Sequence, residues 1–78
     1  MPTILYLYGF YFRFYSNEND EPPHIHVFKG DATAKYWLIP TTSEVYSYGF
    51  SNSENKKIKN LVEQNKELFK LKWYEYFT

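Results

Sequence analysis

The first half of the chain alternates short apolar or aromatic runs with glycine, proline and polar residues, a pattern typical of β-hairpins. Residues 4–8 and residues 10–15 flank Gly9 and predict a first hairpin that turns near this glycine. Side chains alternate along a strand, so the second run has two distinct faces. One face is made of phenylalanine and the other is mixed: Phe10, Phe12 and Phe14 against Tyr11, Arg13 and Tyr15.

Residues 24–29 and 32–39 flank Gly30 and Asp31, and a two-residue turn closes a second predicted hairpin. If Lys29 faces Ala32, the following pairs sort into two faces. The first face is mostly apolar and pairs Val27 with Ala34 and Ile25 with Tyr36. The second face pairs Phe28 with Thr33, His26 with Lys35, and His24 with Trp37.

The segments around this hairpin predict loops. Residues 16–21 are polar and acidic, and Pro22 and Pro23 after them cannot continue a strand ladder. Pro40 ends the second hairpin, and residues 44–48 favour a short irregular edge segment.

The last third of the chain predicts a helix. Ser51 and Glu54 have the spacing of a capping box, in which each side chain bonds the backbone N–H of the other residue. Apolar positions then recur every three or four residues, which predicts one amphipathic helix from about Asn52 to Tyr76. The predicted fold class is α+β: a single domain over residues 1–78, with an antiparallel sheet of about four strands in two hairpins and one long C-terminal helix packed on one face.

Composition narrows the function classes. A chain of 78 residues holds one core, and without cysteine that core has no disulfide or thiolate metal site to support it. Aromatic residues make up 23% of the chain, which favours a tightly packed unit. The formal net charge of zero argues against holding a nucleic-acid backbone by bulk electrostatics, although local patches remain able to do so. Six of the nine basic residues fall on the predicted helix among glutamates, a pattern typical of a solvated face with weak salt bridges.

The start of the chain is apolar but has no basic leader, and its apolar character breaks at Gly9 and Arg13. This is too early for a signal peptide or a membrane span. We therefore expect a soluble, cytoplasmic protein that does not contact a membrane.

Both histidines lie two residues apart on the predicted third strand, so they project side by side. Three interpretations follow. A His-x-His pair supplies two metal ligands, and Glu21, Asp20 or Asp31 could add a third; this is the weakest case, and neither a metal nor a cofactor is predicted. The two imidazoles could instead act as general base and general acid on an RNA phosphodiester. Finally, they could be half-buried structural residues or part of a docking surface.

The catalytic interpretation assigns roles to the neighbours of the histidine pair. One ring of the pair His24 and His26 accepts the proton of the RNA 2'-hydroxyl, and the other ring, protonated, supports the leaving group. Lys35 or Arg13 stabilises the negative charge that develops at phosphorus. Aromatic side chains on the same face would stack with bases: Tyr11, Tyr15 and Trp37. The residues alone leave open whether the protein is an enzyme.

Several segments along the whole chain resemble one family of small bacterial proteins, the domain of unknown function DUF4160. These segments include residues 1–4 and 14–18, Glu21-Pro22-Pro23-His24-Ile25-His26-Val27, residues 30–32, Gly49-Phe50-Ser51 and the closing Trp73. The resemblance implies no established activity. It implies an association with a second small domain, as in a toxin and antitoxin pair, and a signature of His24 and His26 with Glu21 and Lys35 beside them.

The leading interpretation is therefore a small bacterial interaction module, one half of a toxin-antitoxin-like pair. It would present a face of His, Lys and aromatic residues to a small partner protein or to RNA, or to a second copy of the chain. The alternatives are a metal-independent ribonuclease that uses the histidine pair, or a weak His-x-His site for a transition metal.

Overall fold

The computed structural model describes residues 3–15 and 20–77. Five strands form one antiparallel sheet in which each strand pairs with its neighbour in the chain. The strands are β1 (Thr3–Leu7), β2 (Phe10–Arg13), β3 (His24–Lys29), β4 (Ala32–Trp37) and β5 (Ser43–Tyr48). The α+β class is confirmed, but the count of about four strands was one too low. Residues 44–48 were expected to form a short irregular edge segment. The edge position is confirmed, but the segment is a full strand of six residues, Ser43–Tyr48.

The predicted register of the second hairpin is confirmed in all its pairs, from Lys29 with Ala32 to His24 with Trp37. A hydrogen bond of 3.0 Å from the Leu38 N–H to the Pro23 carbonyl extends the pairing beyond β3 and β4. The register shifts between Lys35 and Tyr36 where β4 meets β5, which agrees with the irregular character expected of residues 44–48.

The helical segment has two parts, α1 (Asn52–Gln64) and α2 (Lys66–Phe77). The capping box is confirmed: the Glu54 N–H donates to the Ser51 hydroxyl at 3.1 Å, and the Ser51 N–H donates to the Glu54 carboxylate at 2.9 Å. The prediction of one long helix was wrong at Asn65. The side-chain amide and the backbone N–H of Asn65 both donate to the Leu61 carbonyl, at 2.8 Å and 3.0 Å. This competition for one acceptor disturbs regular helix geometry.

The core lies between the helices and one face of the sheet. Phe10, Phe12 and Phe14 are each at most 1% exposed, which confirms the predicted phenylalanine face of β2. Phe12 stacks on Phe69 of α2, with ring centroids 5.4 Å apart. The rest of the core comes from β3, β4, the residue after β4 and both helices: Ile25, Val27, Ala34, Tyr36, Leu38, Ile58, Leu61, Val62 and Trp73.

We call the opposite face of the sheet the open face, because the helices pack most of their buried residues on the other side. Trp73 of α2 is an exception among the described residues, since its ring also contacts His24 on the open-face side. By strand alternation it carries the side chains that do not enter the core. Within the described ranges, no helix has the length and apolar character needed to cross a bilayer. Of the loop predicted over residues 16–23, residues 20–23 lie outside any strand or helix, and residues 16–19 fall outside the described residues.

Candidate functional site

His24 and His26 lie on the open-face side of β3, as strand alternation predicts. Ile25 between them is fully buried in the core on the other side. The two imidazole centroids are 5.1 Å apart with their planes nearly perpendicular. The pairing of side chains that the sequence predicted is therefore present.

The histidines are not presented at the surface, and this corrects the prediction of an exposed pair. His24 is 0% exposed and His26 is 4% exposed. Tyr15 covers His26 with its ring centroid 4.7 Å away. Trp37 lies 5.7 Å from the His24 ring, and Trp73 of α2 lies 4.8 Å from it. Strand alternation determines the face of the sheet to which a side chain points, whereas these large neighbouring rings determine how deeply it is buried.

The polar contacts of His24 depend on the proline pair that precedes β3. Its Nδ1 donates to the Pro22 carbonyl at 2.9 Å. A carbonyl oxygen can only accept, so Nδ1 carries a proton in this arrangement. This nitrogen therefore cannot bind a metal or act as a base while the bond persists. The Glu21 carboxylate lies 3.7 Å from the same atom.

Lys35 is held by Glu21, a contact that the sequence did not predict. Its Nζ donates to Glu21 Oε1 at 2.7 Å, and the Lys35 side chain is only 12% exposed. The same ammonium lies 4.8 Å from the ring centroid of Trp37. The charge of Lys35 is thus compensated within the protein, which weakens its predicted role as a phosphate-stabilising group.

Arg13 joins the same face, as expected if β2 neighbours β3. It pairs with His26 across the two strands. Its guanidinium carbon lies 5.0 Å from the ring centroid of Phe28 and 5.5 Å from that of Tyr11. The Arg13 Nε is buried and has no hydrogen-bond partner among residues 3–15 and 20–77. Arg13 thus connects the buried histidines to an aromatic region beyond them.

That aromatic region is a surface feature, and only part of it was predicted from the sequence. Cross-strand pairing aligns Tyr6 with Tyr11, Tyr11 with Phe28, Phe28 with Thr33, and Thr33 with Tyr48. We call the four aromatic members of this alignment the tyrosine row: Tyr6, Tyr11, Phe28 and Tyr48.

The tyrosine row is exposed toward both edges of the sheet. Tyr6 is 57% exposed, Tyr11 41% and Tyr48 65%. Tyr6 and Tyr11 lie in contact, with centroids 4.4 Å apart, and Tyr46 stacks on Tyr48 at 5.2 Å. Tyr11 was predicted from the sequence as a binding residue, whereas Tyr6 and Tyr48 were not. Extending the strand register across β1 and β5 would have placed both beside it.

The metal interpretation gains no support from the described part of the chain. There, no group of three or more His, Asp or Glu side chains is placed to hold an ion. His24 also has its Nδ1 committed to a backbone carbonyl.

No curated protein and no solved structure shows a significant match to this chain. One family does match, over residues 9–74, and it is described as a domain of unknown function (DUF4160). This stretch spans β2 to β5, α1 and most of α2 and contains the two histidines with Glu21, Lys35 and Arg13. The match covers far more than half of the chain, which therefore belongs to the DUF4160 family.

Proposed function

We propose that this protein is a cytoplasmic interaction module, one half of a toxin-antitoxin-like pair, and that a small partner protein docks on the tyrosine row. The observation that carries the proposal is the exposure of Tyr6, Tyr11 and Tyr48 in register on the open face. Tyrosine, tryptophan and arginine are enriched among the residues that contribute most to binding at protein interfaces. The tyrosines of the row, with Arg13 against the rings of Tyr11 and Phe28, have this composition.

The size of the row suits a small partner. It crosses all five strands, and four spacings of about 4.8 Å give a width of about 19 Å. One sheet or a pair of helices can cover such a width. Tyrosine contributes a large contact area at a low cost in side-chain entropy because it has few rotatable bonds.

Charge favours a protein over a nucleic acid at this face. Nucleic-acid binding depends on several cations that contact phosphates. Lys35 is paired with Glu21, so Arg13 is the only cation on this face without an ion pair among the described residues. One arginine on an aromatic surface is a common anchor in protein interfaces.

Burial argues against the ribonuclease interpretation. A general acid or base must come within hydrogen-bond distance of the proton that it transfers. The fully buried His24 and the nearly buried His26 cannot touch a phosphodiester unless the rings above them move. In our proposal the histidines support the docking face from below.

Co-purification with the product of the neighbouring gene tests the proposal. Tyr11→Ala and Tyr48→Ala should each weaken the complex at least about tenfold, a hot-spot effect. Tyr74→Ala is the matched control, because Tyr74 is 49% exposed but lies on α2. Absence of a complex, or equal effects of all three substitutions, would contradict the proposal.

Two further measurements separate the alternatives. Light scattering shows whether the chain pairs with a second copy, and a homodimer that Tyr48→Ala dissociates would assign the row to self-association instead. Incubation with single-stranded RNA tests for cleavage. Cleavage that is lost in a folded His26 variant would restore the enzymatic interpretation.

A further inference from the structure

The lysines of the two helices differ in how their charges are compensated. The last three lysines along the chain form ion pairs with glutamates three residues away: Lys66 with Glu63 at 3.1 Å, Lys70 with Glu67 at 3.0 Å and Lys72 with Glu75 at 3.6 Å. Lys56, Lys57 and Lys59 of α1 form no ion pair with any described residue. The expectation of a helix face laced with salt bridges thus holds for the second half of the helical segment only.

The carboxylates closest in sequence to these three lysines bind other groups. Glu54 accepts from the Ser51 N–H and from Lys29, and these contacts hold the pKa of its carboxyl below the usual range. Glu63 accepts from the Thr42 hydroxyl and from Lys66, which lower its pKa in the same way, with a smaller contribution from Lys59. Lysines three residues apart on a helix repel each other. The start of α1 therefore has an excess of positive charge.

A groove of about 450 Å³ is lined in part by Lys56 and Lys57, whereas Lys59 lies outside it. Its wall includes the ring of Tyr8, which is 69% exposed and whose centroid is 5.6 Å from the Lys57 ammonium. One polar stripe of α1 forms much of the remainder: Ser53, Lys56, Lys57, Asn60 and Gln64. None of the described residues that line this groove is acidic.

We propose that this groove binds one nucleotide unit of a single-stranded nucleic acid. Lys56 and Lys57 bind the phosphate, and the base stacks on the exposed face of Tyr8. The amides of Asn60 and Gln64 supply donors and acceptors for a base edge. The volume is within the usual range for a small-ligand site.

A single strand fits this chemistry better than a duplex or a free nucleotide. Stacking on tyrosine requires an unpaired base. Lysines act as point charges, and Lys59, which lies outside the groove about one helical turn beyond Lys56, can reach the next phosphate of a strand. A strand therefore uses all three cations, whereas a free nucleotide uses two. The groove lies on the helix side of the sheet, so this site and the tyrosine row are independent.

Fluorescence anisotropy with a labelled oligothymidylate of about ten nucleotides tests the proposal across about 50 to 200 mM salt. Lys56→Gln/Lys57→Gln should reduce the slope of log K against log salt by about 0.7, the value for one lost phosphate contact on a single strand. Lys66→Gln/Lys70→Gln changes the net charge equally but removes lysines that are already paired, and it should leave the slope unchanged. Tyr8→Asn removes the ring from a position with φ of 53°, which asparagine tolerates. It should weaken binding by roughly 5- to 140-fold.

Three outcomes would overturn the proposal. The first is the absence of saturable binding at low salt. The second is an equal loss of affinity in the two double-lysine variants, because long-range charge would then explain the binding. The third is binding of thymidine monophosphate as tight as that of the oligonucleotide, which would make the groove a site for free nucleotides. Circular dichroism of each variant confirms that the exposed substitutions leave the fold intact.

Discussion

Replacing His24 distinguishes a structural imidazole from a catalytic one. His24 is fully buried and donates from Nδ1 to the Pro22 carbonyl at 2.9 Å. His24→Ala removes both the ring and this donor. His24→Asn removes part of the ring but keeps a donor, because the asparagine Nδ2 lies the same number of bonds from the backbone as Nδ1. The pair of variants therefore separates packing from hydrogen bonding.

The size of the effect follows from burial. Truncating a large buried side chain to alanine costs about 2 to 5 kcal/mol, and the lost hydrogen bond adds about 1 kcal/mol. Water can replace the donor because Pro22 is exposed, so we expect a total near the lower end, about 2 to 4 kcal/mol. His24→Asn should regain about 1 kcal/mol of this loss. A domain of this size has a total stability of about 4 to 12 kcal/mol, so the alanine variant should remain folded but be clearly weakened.

Urea unfolding at neutral pH measures these differences. The fluorescence of Trp37 and Trp73 reports on the transition, and both rings contact His24. In thermal unfolding the alanine variant should melt at least about 8 °C below the parent protein.

The refuting result is clear. If His24→Ala changes the free energy of unfolding by less than about 0.5 kcal/mol, His24 behaves as a surface residue and our argument from burial is wrong. If the asparagine variant is as unstable as the alanine variant, the bond to Pro22 contributes nothing. A stable His24→Ala protein that had lost an RNA-cleaving activity would support the catalytic interpretation.

Three further substitutions test separate contacts. Burial, and then the Glu44 carboxylate that its hydroxyl contacts, raise the pKa of Tyr36 to about 12. The raised pKa contributes at most about 3 kcal/mol to the free energy of unfolding. This contribution is complete below about pH 10 and is lost as the pH rises toward 12. Urea unfolding at several pH values should show this loss for the parent protein, and Tyr36→Phe should abolish it. Ser51→Ala should lower the stability by about 1 kcal/mol because it removes the helix cap. Ser51→Asp should retain most of the stabilisation by the cap, and thermal melts measure both variants. Gly49→Ala should cost about 1 to 3 kcal/mol in urea unfolding, because φ is 86° and the new Cβ would lie 3.1 Å from the Ala32 Cβ.

Local patterns were sufficient for much of the fold. Alternation predicted the buried phenylalanines of β2, and the turn at Gly30 and Asp31 determined the register of the second hairpin. The spacing of Ser51 and Glu54 predicted the start of α1. Each of these features depends on residues close in sequence, so the sequence contains the information directly. The interruption at Asn65 was missed because a polar residue on an otherwise regular helical pattern does not reveal where its side chain bonds.

The candidate sites depended more on contacts between distant segments. The sequence determined that His24 and His26 share one side of β3, because side chains alternate along any strand. Only the tertiary structure decided that both rings are buried, since Trp73 of α2 and Tyr15 after β2 approach them from other parts of the chain.

The distribution of charge also separates what the sequence determines from what only the tertiary structure decides. The sequence determined that the net charge is zero and that most lysines lie near the C-terminus. Only folding decided which charges cancel, because an ion pair requires two side chains within about 4 Å and that distance depends on the packing of the whole chain. Folding pairs Lys35 with Glu21 and leaves Lys56 and Lys57 unpaired among the described residues, beside the ring of Tyr8.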